Sequence, residues 1–136
     1  MKTILVVDDD YLLVEALTDL LELEGYRVVS AANGKDGLAQ LVKERPDIVL
    51  TDFMMPVADG LDLIWGVHAL PKFRALPMIM MSASRQGVAL STYPKARPVR
   101  LSAFLSKPFQ MDKLLSIIER LIGKGEPQGK AVPGAV

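Results

Sequence analysis

The sequence predicts an α/β fold, a single doubly wound five-stranded parallel sheet with helices on both faces. Three observations predict it. Five short, apolar, β-rich runs recur along the 136 residues. Segments with apolar residues at helical spacing separate most of them. The runs stop at acidic or hydroxyl residues instead of alternating with polar ones, as strands buried on both faces do. Strands that alternate with helices form a parallel sheet covered on both sides, and functional groups then gather at the carboxyl ends of the strands.

The elements run in order along the chain. Ile4-Leu5-Val6-Val7 reads as the first strand and stops at Asp8-Asp9-Asp10. Leu12, Leu13, Ala16, Leu17, Leu20, Leu21 and Leu23 mark a first helix that Gly25 ends. Arg27 to Ala31 is the second strand, with Asn33-Gly34 read as a turn. Leu38, Leu41 and Val42 mark a second helix, closed by Pro46. Ile48-Val49-Leu50-Thr51 then runs into Asp52, and Pro56 stops the pattern. Gly60 to Trp65 opens a third helix that ends before Pro71. Met78 to Met81 is a fourth strand stopping at Ser82, and Leu101 to Leu105 a fifth stopping at Ser106-Lys107-Pro108. Leu114, Leu115, Ile117, Ile118, Leu121 and Ile122 make an amphipathic last helix. Pro94 and Pro98 forbid a clean helix between Arg85 and Arg100, so the fourth helix is expected to be irregular. Residues 1–123 read as one domain, and residues 124–136 as a flexible tail or truncated linker.

Composition excludes several function classes. Net charge is zero, which argues against a nucleic-acid or anionic-membrane surface as the main activity. Cysteine is absent, so neither disulfides nor thiolate chemistry is available. A single histidine, His68, rules out a histidine-rich metal site and reads as a helix-surface residue. No apolar run approaches the roughly 18 residues of a membrane span. The start of the chain lacks a signal-peptide pattern, and the expected location is cytoplasmic.

The strand ends collect Asp8, Asp9, Asp10, Asp52, Ser82 and Lys107. Carboxylates crowded into one pocket repel by about 1 kcal/mol per pair at ~4 Å in water and ~4 kcal/mol at an effective dielectric of 20. A divalent cation removes that cost, and oxygen ligands without histidine or thiolate point to Mg²⁺ or Mn²⁺. Mg²⁺ favours phosphate as a further ligand. Lys107 offers a point charge to phosphate oxygens and Ser82 a hydroxyl, which makes Asp52 a candidate nucleophile. Neither a Gly-x-x-x-x-Gly-Lys loop nor a Gly-x-Gly-x-x-Gly motif is present, which argues against nucleotide hydrolysis or dinucleotide binding.

These motifs, Val-Val-Asp8-Asp9-Asp10, Thr51-Asp52-Phe53-Met54-Met55-Pro56 with Asp59-Gly60, Met80-Met81-Ser82-Ala83 and Phe104-Leu105-Ser106-Lys107-Pro108-Phe109, resemble the receiver domain of two-component response regulators. The resemblance runs from about Lys2 to Gly123. It implies a flavodoxin-like sheet in the order 2-1-3-4-5 and a Mg²⁺-dependent phosphorelay switch. Asp52 would accept a phosphoryl group from a sensor histidine kinase or histidine phosphotransfer protein. Asp9 would be the direct metal ligand, with Asp8 acting largely through water and the Met54 backbone carbonyl completing the set. Ser82 would be the switch hydroxyl, Lys107 the phosphate-binding lysine and Phe104 the aromatic switch position. Small Ala83 would leave access to the phosphate, and a cis peptide would precede Pro108. Such a domain promotes its own phosphorylation and dephosphorylation rather than turning over a substrate. It would be a monomer or a weak phosphorylation-dependent dimer.

Plainer readings stand beside these. Asp10 reads as the N-cap of the first helix. Phe104 is equally a core phenylalanine. Asp8-x-Asp10 also resembles the start of haloacid-dehalogenase-type phosphatases, but that family needs further acids after the lysine, where only Asp112 and Glu119 occur, on a helix. A receiver-fold interaction module that works without phosphorylation is the remaining alternative.

Overall fold

The computed structural model describes residues 1–53, 59–82 and 101–126. The expectations for the Met54 carbonyl, Ala83, the irregular fourth helix and residues 127–136 lie outside the described residues. Five strands, β1 (Thr3–Val7), β2 (Arg27–Ala31), β3 (Ile48–Asp52), β4 (Met78–Ser82) and β5 (Ala103–Ser106), form one parallel sheet in the order β2-β1-β3-β4-β5. Helices α1 (Tyr11–Leu23), α2 (Gly34–Glu44), α3 (Gly60–His68) and a last helix (Met111–Ile122) flank it. The predicted class and strand order are those observed.

The three central strands, β1, β3 and β4, are buried at every residue. Side chains alternate between the faces with a period of two. Ile4, Val6, Ile48, Leu50, Ile79, Met81 and Leu105 pack with Leu17 and Leu21 of α1 and with Leu114 and Ile118 of the last helix. Leu5, Val7, Val49, Met78 and Met80 pack the other way, against Leu41 of α2 and Leu63, Ile64 and Val67 of α3. Continued along each strand, the same period carries Asp8, Asp52 and Lys107 to the face of α1 and the last helix, and Phe104 to the opposite face.

Local chemistry explains the boundaries. The Asp10 carboxylate accepts the Leu13 amide hydrogen bond at 3.2 Å and starts α1. The helix closes with paired bonds from the Gly25 amide to Glu22 O and from the Tyr26 amide to Leu21 O, and Gly25 takes φ 91° to make them. Asn33-Gly34 is not a turn: the Asn33 side chain accepts from the Asp36 amide at 2.8 Å and caps α2. An Asn-Gly pair serves as either, and the helical spacing from Leu38 onward decides for the cap. Leu12, Leu23 and Val42 lie on solvent faces, because the apolar positions in α1 and α2 cover more than the one stripe each helix can bury. The fifth strand begins at Ala103, two residues later than its apolar run suggests. His68 is half-buried, with Nε2 3.3 Å from the Leu76 carbonyl oxygen.

Asp59 caps α3 through a reciprocal pair with Asp62, at 3.0 and 3.3 Å. The next residue must be glycine: a Cβ on Gly60 would lie 2.5 Å from the Asp52 carbonyl oxygen and 3.1 Å from Phe53 Cα. That close approach seats α3 on the end of β3. At Gly66, by contrast, a Cβ would meet only the Leu38 methyls, at 3.4 and 3.7 Å. Gly60→Ala should therefore cost about 1–3 kcal/mol through forced backbone movement, while Gly66→Ala should gain roughly 0.5–1 kcal/mol from helix propensity. Urea unfolding midpoints of the two variants, moving in opposite directions from wild type, check this.

Candidate functional site

Three strands deliver the site. β1 ends at Val7, and the next residue, Asp8, is buried, its backbone amide bonded to Ala31 O at 3.1 Å and its Oδ1 accepting the Asp10 amide at 2.9 Å. β3 ends on Asp52, which is 8% exposed. β5 leads into Lys107, whose backbone amide donates to Ser82 O at 2.6 Å. The Lys107–Pro108 peptide is cis, as the resemblance implied.

The side chains converge. Lys107 Nζ lies 2.7 Å from Asp8 Oδ2 and 3.2 Å from Asp52 Oδ1, bridging the two buried acids. Carboxylate oxygens of Asp8, Asp9 and Asp52 lie within 4.8 Å of one another, with Asp9 exposed at the rim. Ser82 is buried at the end of β4, directly after Met81, the residue in register with Asp52. Asp10 stays out of this group as a helix cap. Phe104 is partly buried on the opposite face, in register with Met80 and packed against the α2–α3 core. The fold thus brings Asp8, Asp9, Asp52 and Lys107 to one place and sets Phe104 on the far side of β5. Sequence reasoning did not find the contact of Gly60 with the Asp52 carbonyl. Its only trace was the Asp59-Gly60 pair following an apolar strand.

Among the described residues one ammonium, touching Asp8 and Asp52, stands against three carboxylates, so negative charge outweighs positive there. Burial pushes the Asp52 carboxyl above its ordinary range, and the charge of Asp8 pushes the same way. Lys107 and the Phe53 amide pull it back without cancelling the rise. Burial works to lower the Lys107 ammonium, but its hydrogen bond to Asp8, the charge of Asp8 and then Asp52 outweigh that and raise it. The donor set is all oxygen, close-set and anionic. That chemistry fits a hard divalent cation such as Mg²⁺. A pocket of about 370 Å³ opens beside the site, lined by Asp10, Leu13, Lys107, Pro108, Phe109 and Met111. Tyr11 and Leu12, each 75% exposed, stand on α1 just after the acidic run. No helix among the described residues is long and apolar enough to cross a membrane.

Residues 4–119 match the family model described as response regulator receiver domain. The chain is 29% identical over 121 residues to sporulation initiation phosphotransferase F of Bacillus subtilis, covering 89% of this chain and 94% of that protein. It is 33% identical over 116 residues to protein PilG of Pseudomonas aeruginosa, covering 85% and 84%. The chemotaxis response regulator CheY4 of Vibrio cholerae superposes with a TM-score of 0.78 at 28% identity, covering 90% of this chain and 99% of that one. A receiver domain protein from Methanospirillum hungatei superposes with a TM-score of 0.75 at 30% identity, covering 88% and 92%.

The direction of the Asp52 shift has a consequence for stability. A carboxyl raised in the folded state holds its proton to higher pH than it does in the unfolded chain. Stability therefore falls as pH rises from 3.8, the ordinary value, through the raised one. At neutral pH the ionised Asp52 is a net cost, and Asp52→Asn should raise stability by on the order of 1 kcal/mol, one like-charge contact at ~4 Å. The gain should shrink as pH falls toward 3.8. Thermal melts of both proteins across that range measure it.

Proposed function

Because the chain belongs to the response regulator receiver domain family, we propose that it is a phosphorylation switch with Asp52 as its phosphoacceptor. The observation that carries this is the bridging of Asp52 and Asp8 by Lys107, beside Asp9, at the carboxyl ends of the strands. A residue with that neighbourhood is a nucleophile set among groups that handle phosphate charge.

In the proposed reaction an Asp52 carboxylate oxygen attacks the phosphorus of a phosphohistidine on a sensor kinase or phosphotransfer protein. The P–N bond breaks, its electron pair stays on the imidazole nitrogen, and a P–O bond to Asp52 forms. Asp8, Asp9, Asp52 and the Met54 carbonyl would hold Mg²⁺. When bound, that ion offsets the carboxylate repulsion and the charge on the transferring phosphoryl oxygens. Lys107 keeps its ammonium available to a phosphoryl oxygen, since its partners hold it protonated. Ser82 offers its hydroxyl to another. Phosphorylation adds roughly −1.5 to −2 charge at Asp52, drawing Ser82 and Lys107 toward it. Phe104, already half out of solvent, would move further inward. The unit that does this spans residues 1–123. Its business is signalling, with the phosphoryl group as a transient mark rather than a turnover product.

Incubation with acetyl phosphate and Mg²⁺ should place one phosphoryl group on wild type, located on Asp52 by mass spectrometry. Asp52→Asn should take none. Lys107→Ala should still bind Mg²⁺ but lose at least about tenfold in labelling rate, as removal of one charge-stabilising donor generally does. A wild-type protein that stays unmodified would overturn the assignment.

Donor recognition separates from chemistry. The exposed Tyr11 and Leu12 stand on α1 immediately beyond the acidic run, where a docking donor protein would meet them on its way to Asp52. Leu12→Asp should slow transfer from a phosphohistidine protein by about tenfold, the scale of one interface anchor, and leave labelling by acetyl phosphate unchanged. Parallel time courses with the two donors read the difference.

A further inference from the structure

The segment after the last helix does not simply leave the domain. Tyr26, 2% exposed immediately before β2, donates its phenol hydrogen to Gly123 O at 2.7 Å. Three residues beyond Gly123, the Glu126 amide donates to Gly25 O at 3.0 Å. Lys2 Nζ donates to Ile122 O at the helix end. Gly125 lies so close to the α1–β2 turn that a Cβ there would run into the Glu24 carbonyl oxygen and come within 2.8 Å of the Gly25 carbonyl carbon. A run of loose chain needs none of this: a hydroxyl of a buried tyrosine bonded to the segment's backbone, a glycine demanded by close approach and a main-chain bond back to the turn.

We infer that the α1–β2 turn is a clip for residues 123–126, with Tyr26 as its latch. The clip sits at the amino ends of β1 and β2, while Asp8 and Asp52 lie at the carboxyl ends. Five residues at about 3.3 Å each separate the two poles along a strand. The last helix spans the distance, starting four residues after Lys107 and ending at the clip. The chain therefore continues from a fixed point on the pole remote from the acidic site, clear of a phosphoryl donor. The clip stands on its own contacts, whatever Asp52 does.

Amide hydrogen exchange by NMR on the full chain tests this. The Glu126 amide, beyond the end of the last helix and bonded to Gly25 O, should be protected in wild type. Tyr26→Phe keeps the buried ring and removes only the hydroxyl. It should speed exchange at Glu126 by about five- to tenfold, the weight of a buried hydrogen bond, while Leu5 in β1 keeps its wild-type rate. Gly125→Ala, which blocks docking sterically, should remove the protection at Glu126 altogether. Since the chain has no cysteine, a nitroxide on Glu126→Cys reports the same release as faster label motion. An unprotected Glu126 amide in wild type overturns the clip. So does protection untouched by both substitutions, or a loss shared equally by Leu5, which would mean general loosening instead of an unlatched segment.

Discussion

Three acids held near one another by strands that have no freedom to move apart are the constraint on which this molecule turns. Asp8 and Asp52 sit at the ends of β1 and β3, which pair residue for residue, with Val7 opposite Thr51. Neither can retreat without breaking the centre of the sheet. The repulsion is met by one ammonium, Lys107, arriving from β5 and touching both. The offset is partial: burial first, and then the charge of Asp8, hold the Asp52 carboxyl above its ordinary range. A protein selected for stability alone would neutralise one of these positions. Keeping all three leaves a close-set group of oxygen donors whose chemistry suits a hard divalent cation.

The rest of the fold serves to hold that crowding in place. Both faces of the central strands are sealed, by α1 with the last helix and by α2 with α3. Little local relaxation is therefore open to β3, and the charge is concentrated on its last residue. α3 is pressed onto the Asp52 carbonyl through Gly60, which fixes the Asp52 backbone from the opposite side to its carboxylate. A side chain at Gly60 would relieve nothing electrostatically, and it would displace the Asp52 backbone.

What the sequence made legible, and what it did not, divides along physical lines. The strands were readable because they are buried on both faces, so Ile48 to Leu50 and Met78 to Met81 show as unbroken apolar runs. For the same reason their facing was not: an unbroken run has no alternation, and only the structure shows Asp52 on the side of α1 and Phe104 on the other. The charged cluster was legible because a buried strand that ends on an acid or a lysine must give that charge a partner. Lys107 as the bridge between Asp8 and Asp52 was not, since no spacing reports a contact across 99 residues. Asn33-Gly34 misread for a third reason: the residues that favour tight turns also cap helices, and the choice rests on whether helical spacing begins after them. Tyr26 left no signal at all, a single aromatic residue whose partner lies 97 positions away.

The bridging lysine also gives the proposed phosphorylation at Asp52 a way to act beyond the site. Lys107 is tied twice, by its ammonium to the two acids and by its backbone amide to the carbonyl of Ser82. Any shift of the ammonium toward new charge on Asp52 pulls on the β5 end, which is bonded through that amide to the β4 end. β5 is an edge strand and only partly buried, whereas β3 is held on both sides. Of the elements meeting at the site, β5 is therefore the least constrained. The same strand carries Phe104 on its opposite face, against the α2–α3 core. Under the proposed switch, a pull on Lys107 from one side of the sheet would alter packing on the other, a mechanical route from a charge-driven event beside α1 to a surface it does not touch.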